Sequence, residues 1–342
     1  MPDPRPDRPA APAVAVVGCG AISEAFHIPA LARHAAVRER LVLVDPDLGR
    51  AREMAERFGV PGDRVAATHG EILEGVDGAV VATPARLHAP VSRDLLKAGV
   101  HVLCEKPLAP TPDEVRELIA VADAEGVTLG VNHMRRLFGA SQLVRTAVES
   151  GELGELREVE YLQGERFDWP AATGSYFGAA AGKGVLADLG SHIVDLVCWW
   201  LGGDLELESY RDDSRGGTEA VAAARFRRNG CEGEIRLSWL TRYRNTYRVS
   251  GTKASVEGHL FDERSVTLRD PSGKVLEKRT APRVDVSHAM IDGFLSAVRG
   301  EGPPPVSGRD VLPTVEFIDA CYQNRAPLPA PWYENASPVE VA

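Results

Sequence analysis

Residues 13–45 read AVAVVGCGAISEAFHIPALARHAAVRERLVLVD, and this stretch decides the fold of the first part of the chain. It begins with a continuous apolar run, AVAVV, which is typical of a strand covered on both faces. GCGAIS follows directly, a helical segment comes next, and a second apolar run ends in Asp45. This order of strand, glycine turn, helix and strand predicts the start of a parallel sheet with helices on its faces.

The alternation of strands and helices continues to about residue 135. Thr111 and Glu114 stand at the capping-box spacing and mark the start of a helix that precedes the last of these strands. Because the connections are short, the pattern predicts an α/β N-terminal Rossmann domain with a doubly wound parallel sheet over residues 13–135. Its further strands are predicted at residues 78–84, 100–105 and 127–133.

Strands dominate the rest of the chain. Helices are predicted there at about residues 189–201 and in two segments near the C-terminus, SHAMIDGFLSAVRG and DVLPTVEFIDACYQN. We therefore predict an α+β C-terminal domain with a large, mostly antiparallel open sheet, over residues 136–342. Its predicted strands read LREVEYLQ, EAVAAARFR, EGEIRLSWL, TYRVSG, SVTLRD and KVLEKRT.

Length and charge limit the possible classes of protein. The chain has 342 residues, which favours two domains, and its Pro-rich residues 1–12 are expected to form a disordered tail. A net charge of −10 argues against a nucleic-acid partner, because such a partner requires a basic surface. No apolar run is long enough to cross a membrane and no secretion signal is visible, so we expect a cytoplasmic protein without a membrane partner.

Cysteine usage indicates neither a disulfide framework nor a metal site. The chain has five cysteines, an odd number, and no two stand at C-x-x-C spacing. We expect no metal, and we expect buried structural thiols. The cysteines are Cys19, Cys104, Cys198, Cys231 and Cys321.

The turn at residues 18–23, GCGAIS, matches the dinucleotide-binding pattern G-x-G-x-x-G except that serine replaces the third glycine. Gly18 permits the tight turn, and Gly20 lets a pyrophosphate approach the backbone. Ala21 and Ile22 open the helix whose N-terminus stabilises the negative charge. The alternative interpretation is a glycine-rich turn between a strand and a helix that binds no ligand.

Asp45 ends the second strand near the spacing at which a carboxylate binds the adenosine ribose hydroxyls. A carboxylate at this point repels a 2′-phosphate. We therefore predict NAD as the cofactor in preference to NADP.

The segment GVHVLCEKPLA at residues 99–109 closely resembles the E-K-P motif of the glucose–fructose oxidoreductase / inositol dehydrogenase / rhizopine-catabolism (Gfo/Idh/MocA) family. The matches to this family appear in order and span about residues 14–326. Three further segments resemble its T-P-x-x-x-H loop, its entry into the C-terminal sheet and its D-x-G-x-H-x-x-D motif, namely Thr83-Pro84 with His88, residues 149–161 and residues 188–195.

The resemblance implies that Lys106 lies at the C-terminal edge of the nucleotide-domain sheet, where it faces the nicotinamide and the substrate. There it can donate a hydrogen bond to a substrate oxygen and favour the alkoxide-like charge that grows during hydride transfer. Glu105 is expected to orient Lys106 or to contact the nicotinamide ribose, and Thr83, Pro84 and His88 are expected to bind the cofactor. Without the other motifs, Lys106 reads as a solvated residue of a turn.

Asp188 and His192 are four residues apart and share a face if their segment is helical, with Asp195 on the same side one turn on. The resemblance implies that His192 accepts a proton from the substrate hydroxyl and that Asp188 orients it or binds a second hydroxyl. The alternative is that Asp188 is an N-cap and His192 a core residue.

Basic residues near these motifs suggest an anionic substrate. Lys183 follows Gly182 at a point where the family often has a glycine triplet, and it could meet a phosphate or a nucleotide on a sugar. The alternative is that the basic residues are solvated surface charges. Trp169 and Tyr176 are candidates for the sugar site or for the core. The other basic candidates are Arg135, Arg136, Arg242, Arg244 and Arg248.

These observations predict an NAD-dependent dehydrogenase that acts on a secondary hydroxyl or keto group of a sugar or cyclitol. The alternatives are a keto-sugar nucleotide reductase of a deoxysugar or antibiotic pathway, a non-redox lyase or glycosidase that uses NAD transiently, and a catalytically silent NAD-sensing binding protein. The resemblance also implies a homodimer or homotetramer formed through the open sheet.

Overall fold

The computed structural model describes residues 11–166, 184–214 and 217–329, which fall into two compact units. The first unit comprises the chain up to Met134 together with Asp285–Leu312. The second comprises Arg135–Val284 and the chain from Pro313 onwards.

The first unit contains a six-stranded sheet in which all strands are parallel, in the order β3-β2-β1-β4-β5-β6. This is the strand order of a doubly wound nucleotide-binding fold, as predicted. Successive strands are added to one side of β1 as far as β3, and from β4 onwards to its other side. Ligands bind at such a switch point, at the carboxyl ends of the strands. The strands are β1 Val14–Val17, β2 Val42–Val44, β3 Val65–Ala66, β4 Gly78–Val81, β5 His101–Cys104 and β6 Leu129–Val131.

Two helices of this unit, α3 and α5, begin at residues whose side chains cap them. The side chain of Thr111 accepts a hydrogen bond from the Glu114 N–H and begins α5, as predicted. Asp47 caps α3 in the same way, and Gly59 ends that helix in the left-handed region. The helices up to this point are α1 Ile28–Ala32, α2 Ala35–Arg38, α3 Leu48–Phe58, α4 His88–Lys97 and α5 Pro112–Glu125.

Asp285–Leu312 returns to the first unit, whereas the sequence assigned these residues to the C-terminal domain. The segment contains α8, Val286–Val298, and its Phe294 and Val298 pack closely against the Cα of Gly78 on β4. Ser307 forms an isolated antiparallel bridge with Gly130 of β6. The predicted domain boundary is corrected here, because the apolar face of α8 packs on a sheet whose strands are distant in sequence.

The second unit contains a nine-stranded sheet in the order β14-β13-β12-β11-β7-β10-β9-β8-β15. Most neighbours are antiparallel, and β7–β10 and β8–β15 are parallel, which confirms the predicted mostly antiparallel sheet. The strands are β7 Leu156–Gly164, β8 Glu206–Asp212, β9 Val221–Arg228, β10 Cys231–Ser238, β11 Thr246–Gly251, β12 Ser255–His259, β13 Ser265–Arg269, β14 Val275–Thr280 and β15 Arg325–Pro327.

Helices cover one face of this sheet and enclose an aromatic core. Trp200 stacks with Tyr161 of β7 and packs against Tyr247 of β11 at a tilt, and its indole N–H donates to the Ser141 carbonyl oxygen. The sequence did not predict α6, or the strands β3, β8, β12 and β15. The helices are α6 Gly139–Glu149, α7 Ser191–Leu201 and α9 Leu312–Gln323.

All five cysteines are free and buried, which confirms the expectation of buried thiols. Among the described residues, no helix combines the length and the apolar character that a bilayer crossing requires.

Candidate active site

The glycine turn after β1 is held close to the neighbouring strands. Gly18 has φ +101°, and a Cβ on it would lie 2.5 Å from the carbonyl oxygen of Ala82. Its N–H donates to the Val44 carbonyl oxygen at 2.7 Å. By contrast, a Cβ on Gly20 would meet nothing within 4 Å. The turn thus leaves open space over Gly20, as the approach of a pyrophosphate requires.

Ser23 explains the departure from the usual third glycine. Its side chain is fully buried, and its hydroxyl donates to the Gly18 carbonyl oxygen at 2.5 Å. Ser23 begins a wide helical turn, Ser23–His27, that leads into α1. The serine therefore ties the helix to the glycine turn.

Asp45 lies directly after β2 and faces the glycine turn. Its carboxylate accepts the backbone N–H of Cys19 at 2.9 Å and that of Asp47 at 2.9 Å. Beside it, the Nε of Arg50 donates to the Cys19 carbonyl oxygen. The sequence did not indicate Arg50 as a residue of the site. The guanidinium of Arg50 also forms ion pairs with Glu24 and Glu53.

Glu105 follows β5 and is buried, with 8% of its surface exposed. His27 contacts its Oε1 at 2.7 Å, and the Asn132 amide donates to the same atom at 2.6 Å. Burial opposes ionisation, but these hydrogen bonds and the charge of Lys106 outweigh it and lower the pKa of Glu105 to about 2. The carboxylate is therefore an ionised anchor between β5, β6 and the helix after the glycine turn.

His27 and Asn132 were missed in the sequence analysis. Asn132 directly follows the last strand of the parallel sheet, and this position was the available indication. His27 lies in the helical turn after the glycine turn, far from Glu105 in the sequence, and no sequence pattern indicated that it belongs to the site.

Lys106 follows Glu105 and is half-buried, and its backbone N–H donates to the Glu105 carboxylate at 3.2 Å. The peptide bond between Lys106 and Pro107 is cis. Because β1, β4 and β5 are adjacent parallel strands, the glycine turn, Thr83 and Lys106 all follow strand ends at one edge of the sheet.

The Thr83-Pro84 loop follows β4, with Thr83 half-buried and Pro84 exposed. His88 begins α4 and is only 2% exposed. Its two ring nitrogens contact the carbonyl oxygens of Pro107 at 2.7 Å and Thr83 at 2.8 Å. Backbone carbonyls therefore occupy both polar atoms of the ring that we expected to bind the cofactor.

Asp188 and His192 lie in one continuous helical segment of the second unit. Asp188 is in a wide turn, Leu186–Gly190, and His192 is in the first turn of α7. Both side chains are half-buried. Residues four apart in a helical segment lie on one side of it, so the placement agrees with the predicted shared face.

Glu219 holds the start of this segment, a role that the sequence did not reveal. Its buried carboxylate accepts the backbone N–H groups of Gly184 at 3.0 Å and Leu186 at 3.2 Å. The Tyr322 hydroxyl and the Arg325 guanidinium donate to it as well. A Cβ on Gly184 would overlap the backbone of Glu219, which explains why glycine stands here.

Arg136 has a partner other than the substrate anion that we expected. Its Nε and Nη2 donate to the two carboxylate oxygens of Asp195 at 2.8 and 2.7 Å. Arg136 is 6% exposed and Asp195 is 1% exposed, and the guanidinium also lies over the Trp199 ring. Because Asp195 occupies the donor fork, the structure argues against a substrate-binding role for Arg136.

The other basic candidates separate into two groups. Arg135 donates to Gln163, and Arg248 pairs with Glu257. Arg242 and Arg244 are exposed, and no hydrogen bond or ion pair engages them within the described part of the chain. Trp169, Tyr176 and Lys183 lie outside the described residues.

Comparison with known proteins assigns the class. The family model described as "Oxidoreductase family, NAD-binding Rossmann fold" matches residues 13–133. The "GFO/IDH/MocA C-terminal domain" model matches residues 141–257. The chain therefore belongs to the Gfo/Idh/MocA family of oxidoreductases, as the sequence motifs predicted.

Several relatives have known reactions or structures. The chain is 29% identical over 255 residues to 1,5-anhydro-D-fructose reductase from Ensifer adhaerens, covering 69% of this chain and 73% of that protein. It is 28% identical over 338 residues to dTDP-3,4-didehydro-2,6-dideoxy-alpha-D-glucose 3-reductase from Streptomyces violaceoruber, covering 91% and 94%. The structure of a 3-ketoreductase from Actinomadura kijaniata, in complex with NADP and TDP-benzene, is similar with a TM-score of 0.79 at 24% identity, covering 92% and 98%.

Proposed function

We propose that this protein transfers a hydride between NAD and a secondary hydroxyl or keto carbon of a sugar or cyclitol. The observation that carries the proposal is the edge of the parallel sheet in the first unit. There the open glycine turn, the Asp45 carboxylate and Lys106 all follow strand ends, in the arrangement that binds a dinucleotide.

The residues of the first unit fit the cofactor. Gly18 and Gly20 admit the pyrophosphate next to the backbone, and the helix that opens at Ala21 and Ile22 stabilises its charge. Asp45 lies where it can accept the ribose hydroxyls, since its carboxylate is only half-buried. When bound, the nicotinamide supplies the centre that accepts or donates the hydride.

The chain's own residues handle the substrate oxygen and its proton. In the oxidation direction, the substrate carbon loses a hydride while His192 accepts the hydroxyl proton. Lys106, in the first unit, is the proposed hydrogen-bond donor that stabilises the negative charge developing on a substrate oxygen. Asp188 orients His192 or binds a second hydroxyl. Glu105 holds the backbone of Lys106 in place, because its carboxylate accepts the Lys106 N–H and is itself fixed by hydrogen bonds with His27 and Asn132.

Asp45→Ala is expected to weaken NAD binding by about tenfold, because a charged hydrogen bond contributes about 1.5 kcal/mol or more. The wild type is expected to bind NADP more weakly than NAD. Arg50, the nearby cation that could otherwise receive a 2′-phosphate, is already paired with Glu24 and Glu53. Titration of nicotinamide fluorescence measures both affinities, with Asp63→Ala, an exposed carboxylate of the same unit, as the control. Equal affinity of the wild type for the two cofactors would overturn the NAD assignment.

Arg242 and Arg244, which have no partner among the described residues, favour an anionic substrate, such as a sugar that carries a phosphate or a nucleotide. Arg242 and Arg244 lie on the segment that follows β10. That segment is bonded to the end of β7 through Tyr243, whose N–H donates to the Gly164 carbonyl oxygen. It is also bonded to Ala220, which neighbours Glu219 at the start of the helical segment that bears Asp188. The two charges therefore lie at the same end of the sheet as the proposed proton acceptor.

Replacing Arg242 and Arg244 together with glutamine is expected to raise KM for the anionic substrate by about a hundredfold, since the double variant loses two charge-assisted contacts of about 1.5 kcal/mol each. The KM for a neutral sugar should stay unchanged. Steady-state kinetics measures both, and Arg211→Gln, an exposed cation on β8, is the control. An unchanged KM for sugar phosphates and nucleotide sugars would show that the arginines are solvated surface charges.

The face of the nine-stranded sheet that no described helix covers supports a homo-oligomer. Arg225 and Arg227 of β9 are exposed while their neighbours along the strand are buried, and β10 exposes Glu232 and Arg236 in the same pattern. Both signs of charge therefore alternate across this face, as in a surface that can pair with a second copy. Light scattering is expected to give the mass of a dimer or tetramer, and a monomer at micromolar concentration would contradict this.

A further inference from the structure

His88 has an environment that the proposed function does not use. The ring is buried between the two loops that follow β4 and β5. One ring nitrogen contacts the carbonyl oxygen of Thr83 and the other that of Pro107, at 2.8 and 2.7 Å. We call these three groups the His88 clasp.

The two acceptors fix the protonation state of the ring. A backbone carbonyl oxygen only accepts hydrogen bonds, so each ring nitrogen needs a proton to bond to its partner. A neutral imidazole carries a proton on one nitrogen alone and would leave the other facing a carbonyl lone pair. Only the imidazolium form satisfies both contacts.

We propose that His88 is a positioning residue, an imidazolium cation that ties the Thr83-Pro84 loop to the Lys106-Pro107 turn and thereby fixes Lys106 for catalysis. This role differs from the cofactor contact expected from the sequence. Its functional part rests on the proposed function, because it acts through Lys106. Its structural part, a doubly protonated buried ring, stands independently.

The charges around the ring agree with this state. Burial opposes protonation, but the electrostatic interaction and the hydrogen bond with Cys104 of β5, together with the two carbonyl acceptors, outweigh it and raise the pKa of His88 to about 9. The folded protein thus holds this proton more tightly than the unfolded chain, whose histidine has an ordinary pKa of 6.5. The stability contributed by the clasp is therefore complete below about pH 6.5 and is lost as the pH rises through about 9.

The experiment is nitrogen-15 NMR of the full-length protein with labelled histidine rings. The His88 signals are assigned by comparison with His88→Gln, or by nuclear Overhauser contacts to Pro107 if that variant does not fold. At pH 7.5 we expect both ring nitrogens of His88 to carry protons, and we expect deprotonation only near pH 9. An unprotonated ring nitrogen at pH 7.5 would overturn the proposal.

Kinetics then separates a positioning role from a cofactor contact. His88→Gln, which carries its donors on a single nitrogen and has an acceptor as its other polar atom, is expected to lower kcat by about tenfold and to change the NAD dissociation constant by less than about threefold. His69→Gln, on the surface of the same unit, is the control. A loss of NAD affinity without a loss of kcat would assign His88 to cofactor binding instead. If the protein shows no dehydrogenase activity, the NMR result still decides the state of the ring, so the two failures are distinguishable.

Discussion

Lys106→Ala is expected to lower kcat by about a thousandfold while NAD binds with nearly unchanged affinity. A donor aimed at a developing oxyanion contributes about 3–4 kcal/mol in a site protected from water. Lys106 is half-buried at the carboxyl end of β5, at the same edge of the sheet as the glycine turn. Its neighbour Glu105 is fixed by His27 and Asn132. The loss should therefore fall on the chemical step.

His192→Asn should likewise lower kcat without changing NAD affinity.

The matched control is Lys97→Ala, an exposed lysine at the end of α4 in the same unit, which should leave kcat unchanged. Single-turnover measurement of nicotinamide absorbance separates hydride transfer from product release. If Lys106→Ala turned over at the wild-type rate, Lys106 would be a solvated residue of the turn and the proposed mechanism would be wrong.

Arg136→Met is expected to destabilise the second unit by about 3–5 kcal/mol. Removing one partner of a buried ion pair leaves the other charge without compensation, and that cost is of this size. Here the group that loses its guanidinium partner is the Asp195 carboxylate, which is 1% exposed and lies on α7, three residues after His192. The midpoint of denaturant unfolding measures the effect.

Arg145→Met is the matched control, because both arginines lie over the Trp199 ring. Arg145 pairs with Glu149, whose side chain is 57% exposed, and donates to the Trp199 carbonyl oxygen, so its loss should cost about 1–2 kcal/mol. Replacing Arg136 and Asp195 together by Met and Leu should recover much of the lost stability. Equal losses for Arg136→Met and Arg145→Met would show that the buried pair has no special importance.

The sequence predicted the first unit well because its information is local. Five of the six strands of the parallel sheet, all except β3, are short apolar runs, and Thr111, Asp47 and Gly59 mark helix ends within a few residues of the chain. The glycine turn is equally local, and the structure accounts for Ser23 through one hydrogen bond to Gly18. Patterns of this kind are visible without knowledge of the tertiary fold.

Tertiary contacts could not be predicted in this way. The return of α8 to the parallel sheet depends on the close approach of Phe294 to Gly78, far away in the sequence. The short strand β15 forms only because β8 offers it a free edge. Neither feature has a local sequence pattern.

The candidate site shows the same division. Lys106, Asp188 and His192 belong to contiguous motifs, whereas the partners that hold the site in place do not. Glu219 supports the helical segment at Gly184 from a separate strand connection. The sequence suggested that Arg136 binds the substrate, whereas in the structure its guanidinium donates to the buried carboxylate of Asp195. The types of residue in a motif indicate chemistry, but their partners depend on the fold.

The measurement that tests the central claim most directly follows nicotinamide absorbance with NAD, or NADH for keto-substrates, against neutral sugars, cyclitols, sugar phosphates and nucleotide sugars. We expect a net absorbance change with at least one sugar or cyclitol substrate and its loss in Lys106→Ala. Turnover of a substrate with no net change in nicotinamide absorbance would identify a non-redox enzyme. Tight NAD binding with no turnover of any member would indicate a sensor, and either result would contradict the proposed hydride transfer.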